Sequence, residues 1–236
     1  MTRGHSSLEK EISEAVRWFW RTKAEQSVAC VDPSGRGGVL GGRQLDGFLN
    51  LLVYACLEAG VPEECIFIRG NYIPGFFRSS KDWDFLVISP DNKLLALVEL
   101  KSQVGSYGNN FNNRTEEAIG SATDLWTAFR EGEFDTCGQP WAGYMMVIGD
   151  DLKSNCPVNN HSAHYPVLVE FENASYMDRY AILCRKLISE RLYNGCALLA
   201  TSDENHYRDI DPTISIRQFI ASLQGYLTGC RHEFDR

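Results

Sequence analysis

Three features of the sequence predict an α/β fold in which a mixed central sheet is flanked by helices. Helical periodicities alternate with short apolar runs along the chain. Two of those runs, DFLVI and LLALVEL, are joined by turn chemistry in PDNK and read as a β-hairpin over residues 84–102. A helical segment then separates the hairpin from the apolar run GYMMVIG, which allows a crossover and parallel pairing with a hairpin strand.

The elements follow in order. Residues 8–24 have the spacing of an amphipathic helix, with the consecutive aromatics WFW at 18–20 read as core packing. The glycine-rich stretch PSGRGGVLGG reads as a loop, and LDGFLNLLVYACLEAG as a second helix ending at Gly60. IFIRG is a short strand and NYIPGFFRSS an irregular aromatic segment, whose Tyr72, Phe76 and Phe77 are expected to pack rather than insert between bases. After the hairpin, GSYGNNFNN reads as a polar loop leading into the helix RTEEAIGSATDLWTAFREG, with Asn and Thr as capping candidates. Strands are expected at GYMMVIG, YPVLVEF and GCALLAT, and helices near 175–193 and 213–228. Residues 1–236 read as a single domain, with a core at about 45–150 and helical and strand additions on either side.

Composition narrows the function without deciding it. The net charge of -8 disfavours a non-specific polyanion binder but leaves room for a basic cleft on an acidic body. No apolar run is long enough for a membrane span, and MTRGHSSLEK is too polar for a signal peptide. Eight scattered cysteines without a CxxC pair read as reduced core thiols of a cytoplasmic protein rather than disulfides or a zinc site.

The hairpin carries the chemistry. Glu99 lies fifteen positions after Asp84, and Lys101 follows two later. Side chains alternate along a strand, so Glu99 and Lys101 share one face inside an otherwise apolar run. Burying such charges is costly unless a partner compensates, and two carboxylates suit a Mg²⁺ ion. The Leu100 carbonyl is a further candidate oxygen ligand. Lys101 is then placed to hold an attacking water and offset charge on a phosphorane. The plain alternative is an edge-strand ion pair. Asp82 rivals Asp84 as the first acid, but Asp84 adjoins the strand directly. Glu58, late in the second helix, is a candidate additional metal-site acid, its alternative a solvated helix-end carboxylate.

The helix–strand–strand–strand–helix–strand order with Asp84, Glu99 and Lys101 resembles the PD-(D/E)xK nuclease core, with WD in place of PD. KDWDFLV, ALVELKSQVG, GNNFNNRTEEAIGSATDLW and TAFREGEF are similar to the XhoI family of type II restriction endonucleases, and GGRQLDGF and FIRG fit less specifically. The resemblance implies a restriction-endonuclease-like fold and a homodimeric, Mg²⁺-dependent, prokaryotic enzyme that cuts both strands of palindromic double-stranded DNA. It further implies the site CTCGAG, cut after the first C to leave 5′ overhangs, and a companion DNA methyltransferase that forms no stable complex with the enzyme. Two competing readings are a structure-specific repair or recombination nuclease of the same superfamily and a non-catalytic DNA-binding protein.

For DNA contacts, Asn110, Asn113 and Arg114 lead, followed by Asn109 and Asn112, because Asn amides match adenine edges and Arg matches guanine. A capped, hydrated loop is the bland reading of the same residues. Gln103 and Ser102 are placed to orient the lysine, the phosphate or the water. Arg69, Arg78 and Lys81 are candidate phosphate contacts. The stretch GGVLGGRQ lacks the Lys and Ser/Thr of a phosphate loop, and His161, His164 and His206 read as surface residues.

Overall fold

The computed structural model describes residues 3–29, 43–68 and 70–235. The expected glycine-rich loop at 33–42, Cys30 and Arg69 lie outside them.

The chain opens with helix α1, Arg3–Ala29, longer at both ends than its periodicity indicated. Phe19 is fully buried, whereas Trp18 is exposed and Trp20 half-buried, so only the middle residue of WFW is core. The indole of Trp18 donates to the Arg43 carbonyl, and that of Trp20 to the Thr201 hydroxyl. Helix α2 spans Asp46–Glu58. Short strands β1 (Ile66–Phe67), β2 (Tyr72–Ile73) and β3 (Lys81–Asp82) follow, then the hairpin β4 (Phe85–Ile88) and β5 (Leu94–Gln103). Helix α3 (Tyr107–Glu131) crosses over to β6 (Thr136–Gly149), and the short helix α4 (Leu152–Asn155) comes next. Helix α5 (Tyr176–Ser189), strands β7 (Gly195–Asp203) and β8 (His206–Asp209) and helix α6 (Ile216–Gly229) complete the fold.

The central sheet has the order β1-β4-β5-β6-β7-β8. Pairing is antiparallel for β1–β4, β4–β5 and β7–β8, and parallel for β5–β6 and β6–β7. The crossover through α3 makes β5 and β6 parallel, as the sequence led one to expect. Their strands are near-continuous runs of buried residues because both faces are covered. On one face Val98, Leu100, Met145, Val147 and Leu199 pack with α1, α2 and α6. On the other, Leu97, Tyr144, Met146 and Leu198 pack with α3 and α5. The alternation places Asp84, Glu99 and Lys101 on the α3 face.

Two expectations of secondary structure fail. YPVLVEF is not a strand: Val169–Phe171 is a single 3-10 turn, and Tyr165, Leu168 and Val169 are exposed. β propensity is realised only against a neighbouring strand, and the edge of β7 is taken by β8, a polar strand with no apolar signal. The Asn-rich segment is not a loop. Helix α3 begins at Tyr107, directly after Gly105 and Ser106, both of which have positive φ. Tyr107 locks that start, its hydroxyl lying 2.7 Å from Asp151 and 3.1 Å from the Gly149 carbonyl.

Strands β2 and β3 form a separate two-stranded sheet beside the main one. The segment that joins them is tied to α3 by Asp124, whose buried carboxylate accepts from the Phe76 and Phe77 N–H groups (2.8 and 2.7 Å) and from Arg78 Nε (2.8 Å). Tyr72, Phe76 and Phe77 are 66%, 49% and 69% exposed, so the expectation that they pack is overturned. The backbone there is held by Asp124 and leaves the rings free of a core. Five cysteines (56, 65, 184, 196 and 230) are buried free thiols, as expected, while Cys137 is half-buried and Cys156 exposed. Among the described residues no helix is long and apolar enough to cross a membrane.

Burial opposes ionisation of Asp124, but the Phe77 N–H, the Arg78 guanidinium and the Phe76 N–H outweigh it and hold its carboxyl below the ordinary range. A depressed folded-state value contributes stability that is present above the unfolded value of 3.8 and lost as pH falls through the folded one. Asp124→Asn is therefore expected to lower unfolding free energy by about 1–3 kcal/mol at pH 7. In urea titrations the gap from wild type should narrow below pH 3.8.

Candidate active site

The site forms where β4 stops and β5 continues. The last β4–β5 partners are Phe85 and Val98, so the carboxyl-terminal part of β5 has β6 on one side and open space on the other. Asp84, one residue before β4, replaces the missing ladder partner: its Oδ2 accepts the Leu100 N–H at 2.7 Å. The N–H and C=O of one strand residue point to the same side, so the Leu100 carbonyl faces this gap as well. It lies 3.4 Å from Lys101 Nζ.

Glu99 is the buried centre of the group, its side chain only 6% exposed. Lys101 Nζ contacts Glu99 Oε1 and lies 3.9 Å from Asp84 Oδ2. Lys81 Nζ donates to Glu99 Oε2 at 2.6 Å. Two carboxylates and two ammonium groups thus form one cluster.

Burial raises the Asp84 carboxyl above its ordinary range, and the charge on Glu99 adds to this. Lys101, the Leu100 N–H and Lys81 only partly offset the rise. Asp82 accepts the Asn71 N–H at 2.9 Å on the β2–β3 sheet, and it too lines the cleft into which the cluster opens. Of the two rival acids, Asp84 is the one in contact with Lys101.

The cluster opens into a cleft of about 560 Å³ whose walls include Gln44, Asp46, Ser102 and Arg114. Asp46 comes from the first turn of α2, and Arg114 from the second turn of α3. Arg114 pairs with Glu117 at 2.6 Å, while its Nε is buried without a hydrogen-bond partner. Helix α2 therefore does bring an acid to the site, but from its opposite end. Glu58 is exposed, about 18 Å along the axis from Asp46 at 1.5 Å per residue. Asp46 stands in GGRQLDGF, and an acid in the first turn of a helix was the available signal.

Other candidates are dispersed by the helical start of α3. Asn109, Asn112 and Asn113 are exposed on its first turns and do not line the cleft. The Asn110 amide donates to the Ser106 carbonyl at 2.9 Å. Gln103 is buried with its amide on the Gly105 carbonyl, closing the turn after β5. Lys81, expected at a phosphate, sits on Glu99. His161 and His164 are exposed, and His206 pairs with Asp203 at 2.8 Å.

The donor set suits a hard divalent cation. Asp84, Glu99 and the Leu100 carbonyl are all oxygen donors, and Asp46 adds a further carboxylate to the cleft.

Residues 24–210 match the family described as restriction endonuclease XhoI. The chain belongs to that family. It is 42% identical over 202 residues to the type II restriction enzyme BstVI of Geobacillus stearothermophilus, covering 81% of this chain and 90% of that protein. It is 48% identical over 182 residues to the type II restriction enzyme XhoI of Xanthomonas vasicola, covering 75% and 73%. The type II restriction enzyme AbrI of Azospirillum brasilense is 42% identical over 167 residues, covering 68% and 75%. No solved structure matches the chain significantly. The protein is thus a restriction endonuclease with a restriction-endonuclease-like mixed sheet, and the repair-nuclease and non-catalytic readings fall away. Enzymes of this kind act on double-stranded DNA and generally use divalent metal ions.

The raised carboxyl of Asp84 has a consequence for stability. The folded state holds that proton more tightly than the unfolded chain, so stability falls as pH rises from 3.8 through the folded value. Without metal or DNA, Asp84→Asn should melt at a higher temperature than wild type at pH 8. The gain should vanish below pH 3.8, and a variant less stable than wild type at pH 8 would contradict the reading.

Proposed function

We propose that the chain is a Mg²⁺-dependent type II enzyme that cuts palindromic duplex DNA through Asp84, Glu99 and Lys101. The observation that supports this best is the Asp84 carboxylate on the Leu100 N–H, at 2.7 Å, beside the contact between Glu99 and Lys101. It gathers two acids, one strand carbonyl and one ammonium at the single open stretch of β5. Asp84, Glu99 and the Leu100 carbonyl would hold the cation, with Asp46 rather than Glu58 as the additional acid. When bound, the cation supplies positive charge that polarises the scissile phosphate and acidifies the attacking water.

The protein's own residues do the rest. Lys101 holds the water against the phosphorus and offsets charge that develops on the phosphate oxygens. Arg114, with a buried unpartnered Nε in the cleft wall, suits a DNA acceptor, and the exposed Asn109, Asn112 and Asn113 suit base or phosphate contacts beyond the cleft. Asn110 and Gln103 serve the turn before α3, and through it the placement of that helix.

The site CTCGAG, cut after the first C to leave 5′ overhangs, is our reading from the XhoI-family resemblance. A palindromic site calls for a homodimer, since a two-fold protein matches a two-fold duplex. A companion methyltransferase would protect the host genome in the cytoplasm where the enzyme acts.

Digestion of plasmid DNA in Mg²⁺, followed by sequencing of the fragment ends, tests the reading. Discrete fragments with four-base 5′ overhangs at CTCGAG are expected. Smears or intact plasmid would defeat it. Lys101→Ala and Glu99→Gln should lower the cleavage rate by about 10²–10⁴-fold while specific binding in gel shifts persists. Arg114→Ala should weaken binding to the specific duplex more than to random DNA, and an equal loss on both would make it a backbone contact.

A further inference from the structure

Lys81 occupies an unusual place for a surface lysine. Its side chain is 12% exposed, with Nζ 2.6 Å from Glu99 Oε2, 3.0 Å from the Asp82 carbonyl and 4.5 Å from the centre of the Trp83 ring. Glu99 already has Lys101 on its other oxygen, so both carboxylate oxygens are covered by ammonium groups. The Asp84–Glu99 acid pair is consequently balanced, charge for charge, before any cation or DNA arrives.

The two lysines differ in how they are mounted. Lys101 belongs to β5, two residues from Glu99 on the same face, and it also lies near Asp84 and the Leu100 carbonyl. Lys81 comes from β3, in the separate two-stranded sheet, and reaches Glu99 from outside. It also has a place to remain when it lets Glu99 go. The Trp83 face and the Asp82 carbonyl are neighbours in sequence that do not depend on the carboxylate. A divalent cation on Glu99 Oε2 would have to displace this ammonium or tolerate its charge.

We infer that Lys81 is a charge gate on Glu99: it keeps the acid neutralised in the DNA-free enzyme and weakens cation binding until a DNA phosphate draws the ammonium away. The inference rests on Asp84 and Glu99 being the cation ligands. Its consequence is that cation and DNA bind with positive coupling, each raising the affinity for the other by the same factor. Glu99 serves chemistry in one state, and in the other it satisfies a buried charge.

The test is Mn²⁺ binding to the intact, DNA-free protein, followed by the paramagnetic resonance of the free ion. Lys81→Met, which keeps the length of the side chain and removes its charge, should bind Mn²⁺ at least about tenfold more tightly than wild type, within the usual range of coupling between sites. Lys81→Gln should show the same tightening, which guards against misfolding of one variant, and thermal melts verify that each is folded. Adding Glu99→Gln to Lys81→Met should abolish the gain. If both Lys81 variants bind Mn²⁺ as wild type does, or more weakly, the gate is overturned while the ligand assignment stands, provided Glu99→Gln still weakens binding. If Mn²⁺ binds none of the proteins, or ignores Glu99→Gln, the ligand assignment itself falls.

Discussion

A carboxylate inside a β-strand governs the architecture of the site. Glu99 lies in a run of buried residues whose other side chains fill the two cores. A lone charge there would cost several kcal/mol, and breaking a buried pair is correspondingly damaging. Two ammonium groups from different sheets meet the demand, Lys101 along the same strand and Lys81 from β3. Both are drawn to one point because the anion there is buried, its side chain only 6% exposed. The small β2–β3 sheet is thereby committed to the site, and Asp124 ties the segment between its strands to α3.

The sheet supplies the opening that this cluster requires. Had β4 begun two residues earlier, at Trp83, the Leu100 N–H would have met a backbone carbonyl and the gap would have closed. Starting the strand at Phe85 instead assigns that N–H to Asp84. The backbone group is satisfied, a carboxylate is oriented, and the neighbouring carbonyl is left facing the cleft. The cost is visible in the raised Asp84 carboxyl. In the proposed function the cation that Asp84 would hold offsets this cost, which separates the requirements of folding from those of catalysis.

Helix α3 joins the two tasks. As the crossover from β5 to β6 it makes the strands parallel, and its buried face carries Asp124 toward the aromatic segment. Its early start at Tyr107 turns the Asn-rich stretch into a helix surface, with Arg114 directed at the cleft and the exposed asparagines facing away. A helix holds these side chains more rigidly than a loop would, and it spreads them along an axis.

Much of this was written locally in the chain. The hairpin, the crossover and the shared face of Glu99 and Lys101 follow from a period of two, turn residues and a helical period, none of which needs distant contacts. Other features depended on neighbours remote in sequence. YPVLVEF has strand composition but pairs with no strand, while the polar β8 takes the edge of β7. Glu58 and Asp46 stand on one helix, and only the packing of α2 against the sheet determines which end reaches the cleft. Lys81 looked like a solvated phosphate contact because its partner lies 18 residues away on another sheet. Alternation along a strand places side chains on a face. Which charges share a desolvated space depends on where separate strands and helices converge, and that convergence is a property of the packed fold.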